Sequence, residues 1–180
     1  MCAAWMSIPA VLHEHANHTT TPWFQQVADR LLARYTDIAI GVSASTAEFT
    51  TRARLVPAER THVVYLGAPL DEFARPRGAD EIAAARRALG VPDGAIAVGT
   101  VTRLMPSKGN QYLIEAAPAV LAAHPEVRFF LTGEGELEAD LKAQAAALGL
   151  GDRFVFTGFA RDVAAIYSAL DLVVFPSLWE

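Results

Sequence analysis

Short apolar runs alternate along the whole chain with segments whose apolar residues recur at helical spacing, a pattern that predicts parallel α/β architecture. Ile8 to His13 reads as a strand. With Thr21 as N-cap and Pro22 at the first helical position, Trp23, Val27, Leu31 and Leu32 fall on one face of a helix. Asp37 to Val42 is a second apolar run, Ser45-Thr-Ala-Glu48 reads as a capping box, and His62 to Leu66 makes a third strand. Gly67 to Leu70 and Arg75 to Gly78 then supply turn residues with little periodicity, as expected of a domain boundary. Beyond them a helix from Asp80 to Leu89 closes on Gly90. Four strands of buried type follow, at Ile96–Val101, Val127–Thr132, Phe154–Thr157 and Leu172–Phe175. Helices over Asn110–Ala123, Leu137–Leu148 and Val163–Leu170 separate them, the first predicted to kink at Pro118.

Composition narrows the class. The chain has 180 residues, 52% of them hydrophobic and only 19% charged, with a formal net charge of -5, which excludes an intrinsically disordered protein. The acidic balance argues against nucleic acid as the partner. A single cysteine, Cys2, excludes a disulfide framework and a four-cysteine zinc site and suits a reducing, cytoplasmic setting. No run of about 18 apolar residues is free of charge, so no membrane span is expected. The uncharged start, Met1 to Leu12, lacks the basic residues of a signal peptide. The last residues, Phe175 to Glu180, follow a strand pattern with no helix to cover it, so the chain is expected to be cut.

In open parallel sheets ligands bind outside the carboxyl ends of the strands, which directs attention to four loops. Arg103 and Lys108 lie on the first, just before a helix start, where both cations and the helix N-terminus can converge on an anion such as a diphosphate. On the second, Gly133 and Gly135 are expected to leave the backbone unobstructed and the next helix to offer further amide donors. A dinucleotide fingerprint fails there, because Glu138 occupies the place of the third glycine. A Walker phosphate loop fails as well: no glycine stands five positions before Lys108, and Gly109 replaces its Ser/Thr.

Five segments carry a family resemblance: V-V-Y-L-G-A-P-L-D-E-F (63–73), T-R-L-M-P-S-K-G (102–109), F-F-L-T-G-E-G (129–135), D-R-F-V-F-T-G-F (152–159) and A-L-D-L-V-V-F-P-S-L-W-E (169–180). Together they resemble the donor-binding part of the large retaining glycosyltransferase family 4, and Val11 to Val42 is similar to the end of its acceptor domain. The resemblance implies the GT-B fold of two Rossmann-like domains, both incomplete here. Residues 1–75 would be the last part of the acceptor domain and 76–180 the first part of the donor-binding domain. It further implies sugar transfer from a nucleoside-diphosphate sugar with retention, without a metal ion or other cofactor. Arg103 and Lys108 would hold the diphosphate, Gly133 and Gly135 would let the backbone pass close to the donor, and Gly158 and Phe159 would lie near the base. Glu180 matches the first glutamate of the family's E-x7-E motif, which binds the donor sugar and ribose. Thr102 and Glu136 depart from the commoner glycine and proline.

His13, His15 and His18 cluster beside Glu14. Three readings stay open: a histidine facing the donor sugar, as the resemblance implies and with His13 best placed, a plain polar loop, or zinc, for which the spacing is not that of a helical i, i+4 pair. The acceptor, whether glycan, lipid or small molecule, is not legible, and peripheral contact with the inner membrane face is expected only through segments outside this chain. Turnover by this chain alone is expected to be negligible. A non-catalytic nucleotide-binding module and a nucleotide-sugar 2-epimerase of similar fold are the alternatives.

Overall fold

The computed structural model describes residues 8–17, 21–68 and 70–178, and the chain divides into two compact units at Ala68/Pro69. That division falls ahead of the expected 75/76 boundary, because the short helix Leu70–Ala74 groups with the second unit, where Phe73 packs on Tyr167 with ring centroids 6.3 Å apart.

In the first unit, strands β1 (Val11–Glu14), β2 (Ile38–Gly41) and β3 (Thr61–Val63) form a parallel sheet in the order β1-β2-β3. Helices α1 (Trp23–Leu32) and α2 (Ala44–Ala53) provide the connections. The buried core is small: Ala33, Ala39 and Val56, with Leu12 against them. Two expectations need correction. Pro22, not Thr21, stands at the N-cap of α1 and has no side-chain cap, and the stripe of Trp23, Val27, Leu31 and Leu32 is exposed. Periodicity marks a face that can be covered; it does not supply the cover. At α2 the cap is Ser43, whose Oγ accepts from the Thr46 amide at 3.1 Å, so no capping box forms at Ser45. Glu48 pairs instead with Arg52 one turn on.

The second unit contains α3 (Leu70–Ala74), α4 (Ala79–Leu89), α5 (Asn110–Ala123), α6 (Glu138–Ala147) and α7 (Val163–Ala169). Its strands β4 (Ile96–Val101), β5 (Val127–Thr132), β6 (Phe154–Gly158) and β7 (Leu172–Val173) pair in parallel in the order β6-β5-β4-β7. Strand alternation sends Phe129 and Phe130 to opposite faces. Phe129 joins Leu113, Ile114, Leu121, Leu141 and Phe154 on one side, while Phe130 joins Leu89, Val91, Ala97 and Ala169 on the other. Both faces are thus covered, as a parallel sheet requires. Helix α4 ends as expected on Gly90, at φ +80°, and α5 continues through Pro118 to Ala123. Strand β7 is shorter than expected and Phe175 is exposed, since pairing with β4 reaches only Gly99↔Val173.

One charged group ties the amino ends of the central strands to α4. Arg86 donates to the Ala169 carbonyl at 3.0 Å, to the Ala95 carbonyl at 2.6 Å and to Asp171 Oδ2 at 2.9 Å. Asp171 Oδ2 also accepts from the Ala97 amide at 2.7 Å. Burial pushes the Asp171 carboxyl up, but the Ala97 amide and the Arg86 guanidinium outweigh it and hold the group below its ordinary value. Among the described residues no helix is long and apolar enough to cross a membrane.

Candidate functional site

The strand order reverses between β4 and β7, because the chain runs outward from β4 to β6 and then returns to the other side of β4. At such a switch point the two flanking connections leave in opposite directions and open a crevice at the carboxyl ends. The β4 loop, 102–109, and the β7 loop, 174–178, border it.

The β4 loop is held from below. Leu104 is 1% exposed and acts as its apolar anchor, and Ser107 is buried, whereas Arg103 is exposed and Lys108 half-buried. A single 3-10 turn, Pro106–Lys108, ends on Gly109 at φ +65°, from which α5 starts. The amide of Lys108 donates to the Met105 carbonyl at 3.0 Å. Asn110, fully buried, donates through Nδ2 to the Arg103 carbonyl at 3.4 Å. Thr100 Oγ1, Asn110 Oδ1 and Gln111 Oε1 are buried without a hydrogen-bond partner among the described residues, and all three lie at the end of β4 or the start of α5.

Three glycines let neighbouring loops touch. A Cβ on Gly109 would overlap the Pro176 carbonyl, and beside that contact the Leu178 amide donates to the Ser107 carbonyl at 2.8 Å. The β7 loop is therefore seated on the β4 loop. At Gly133, φ +137°, a Cβ would overlap the Thr102 carbonyl, and at Gly135 the Leu104 carbonyl. This corrects the expectation of an unobstructed backbone: the space beside Gly133 and Gly135 is filled by the β4 loop. Two amides of this stretch are also in use. Gly133 donates to Gly158 at 2.8 Å and Leu137, which precedes α6, donates to Leu104 at 3.0 Å.

At the end of β6, Gly158 has φ +71° with open space around it, and Phe159 is 68% exposed. A register irregularity at Leu131/Thr132 brings Gly158 opposite Thr132. Glu180 and His18 lie outside the described residues. The structure thus brings Arg103, Lys108, Gly133 and Gly135 to one edge of one sheet, with Gly158 hydrogen-bonded alongside. His13 belongs to the first unit, where it is the next-to-last residue of β1, before Glu14, and packs on His15. The sequence reading missed Ser107, Gly109 and Pro176 as partners, although a glycine directly before a helix start was the available signal.

The description "Glycosyl transferases group 1" fits residues 81–180, more than half of the chain. This chain belongs to that family. The alpha-D-kanosaminyltransferase of Streptomyces kanamyceticus is 30% identical over 190 residues, covering 97% of this chain and 48% of the relative. The 2-deoxystreptamine N-acetyl-D-glucosaminyltransferase of Streptomyces fradiae is 32% identical over 169 residues, covering 87% and 39%. Among solved structures, the HepE protein of Anabaena in complex with UDP-glucose matches at a TM-score of 0.82 with 28% identity, covering 97% of this chain and 48% of that one. The group 1 chain described here thus has the GT-B type of fold, with two Rossmann-like units, and spans about half the length of these relatives.

Proposed function

We propose that this chain carries the donor-binding part of a retaining glycosyltransferase that takes its sugar from a nucleoside diphosphate. One observation supports the reading above all: the loop bearing Arg103 and Lys108 stands at the β4/β7 switch point with the β7 loop seated against it. Arg103 presents a planar fork suited to phosphate oxygens, and Lys108, five positions on at the end of the 3-10 turn before α5, adds a point charge. As the sugar leaves, negative charge builds on the diphosphate, and cations already in place stabilise it without reorganisation. Two side-chain cations and a helix N-terminus supply the charge that a metal ion supplies elsewhere, so no metal is needed for departure.

The remaining roles follow the family. Glu180, read from the family's motif, orients the donor sugar, and Gly158 and Phe159 border the base. Gly133 and Gly135 shape the loop crossing that keeps Arg103 in place. His13 belongs to the other unit, and its part beside the sugar is read from the resemblance alone. HepE was solved with UDP-glucose, which makes uridine nucleotides the first donors to try. A cytoplasmic setting is part of the same reading.

Isothermal titration of this chain with UDP, GDP and ADP tests the reading. Each charge-assisted contact is worth roughly 1.5–3 kcal/mol, so Arg103→Ala and Lys108→Ala should each weaken UDP by about tenfold or more. Uridine, which lacks the diphosphate, should bind the variants and the parent alike. If neither substitution changes UDP affinity, the diphosphate assignment fails.

A further inference from the structure

The carboxyl end of β1 reads His13-Glu14-His15, and neighbouring side chains on an extended strand point to opposite sides. Both imidazoles are exposed and Glu14 is buried, as that alternation requires. The two rings lie 4.1 Å apart between centroids, tilted by 47°. What holds the strand in this rotation is on the buried side. Arg54 Nε donates to Glu14 Oε2 at 2.8 Å, and Arg54 Nη1 donates to Asp29 Oδ2 at 2.7 Å. The guanidinium also lies over the Phe49 ring, 5.4 Å from its centroid. Arg54 caps α2, Asp29 lies on α1 and Glu14 ends β1, so one buried cation joins three elements.

We propose that Arg54 is a positioning residue for the histidine pair: by fixing Glu14 inward it aims His13 and His15 together out of the opposite side of β1. Without the cation between them, the buried carboxylate of Glu14 and the half-buried one of Asp29 would repel each other and seek water; Asp29, at 17% side-chain exposure, is already in partial contact with it, so the adjustment falls on Glu14, by rotation of the strand end that carries it. That rotation would carry the neighbouring histidines the other way. The ring contact is therefore a consequence of the ion triad, not of any attraction between the rings. The functional weight of the pair rests on the reading of His13 given above, whereas the positioning claim stands on the first unit's geometry alone.

The test is an aromatic NMR experiment on this chain with labelled histidine, following the cross-peak between the His13 and His15 rings. Amide signals of β2 and β3, in the same unit, report whether that unit is still folded. The parent should show the cross-peak, and Arg54→Met should lose it together with shifts of both imidazole signals. Arg54→Lys, which has room in the roughly 220 Å³ cavity lined by Asp29, Arg54 and Val56, keeps a charge but can no longer span both carboxylates. It should fold and show a weakened cross-peak, so it decides the matter if Arg54→Met fails to fold. An unchanged cross-peak and unchanged imidazole signals in a folded Arg54→Lys or Arg54→Met variant would overturn the proposal. If the contact depends on Arg54 while His13→Ala leaves UDP-glucose binding unaltered, the sugar-facing reading of His13 fails and the positioning role stands.

Discussion

Alanine at Gly109 has to meet two demands that glycine does not. The backbone there is left-handed, at φ +65°, which costs an L-residue roughly 1–2 kcal/mol. Its Cβ would also fall on the Pro176 carbonyl, so the β7 loop must lift and the 2.8 Å hydrogen bond from Leu178 to Ser107 must break. That bond adds a net contribution of about 0.5–1.5 kcal/mol. Gly90 provides the control, because it is left-handed too, at φ +80°, but a Cβ there meets nothing within 4 Å. Gly90→Ala should therefore show only the conformational cost, and Gly109→Ala about 0.5–1.5 kcal/mol more, plus any strain that the moved loop retains. Amide hydrogen exchange in β4 and β5, followed in both variants, reports the second unit without interference from the first. The functional counterpart is sharper. Gly109→Ala should weaken UDP binding, while Gly90→Ala should leave it alone. Equal exchange rates and equal UDP affinities in the two variants would show that the docking of the β7 loop has no energetic weight, and with it the main support for a preformed site.

Asp171→Asn removes a carboxylate whose folded value lies below the ordinary 3.8, so the parent holds an advantage above that pH which disappears as the pH falls through the lower folded value. Urea melts of parent and variant should thus differ at pH 7 and converge in acid, once the pH has fallen through the lowered folded value; a gap that persists in acid would contradict the linkage. Phe130→Ala empties a site that is 1% exposed and in contact with Ala97 and Ala169, and should cost about 3–5 kcal/mol in the second unit by the same exchange measurement. Gly133→Ala meets the Thr102 carbonyl directly, and its expected result is an unfolded or rearranged β5 loop seen as loss of the β4–β5 loop amide signals.

Alternation of strand and helix, the positions of β4, β5 and β6 and the cap at Gly90 were all readable along the chain. These rest on local physics, namely periodicity, propensity and the left-handed preference of glycine, which act over a few residues. The position of Arg103 and Lys108 ahead of a helix start was legible for the same reason, since it needs no tertiary information. Other features were decided only when distant segments met. Pro22 stands at the N-cap of α1 in place of Thr21, and Ser43 caps α2 in place of Ser45. Gly133 and Gly135 looked like space for a ligand, yet that space is taken by carbonyls of residues some thirty positions earlier in the chain. Arg54 drew no attention as one arginine among many; its meaning came from Glu14 and Asp29, brought to it from 40 and 25 positions away. A sequence states what each residue can do with its neighbours. Which of those capacities is used depends on contacts whose sequence separation no local pattern records.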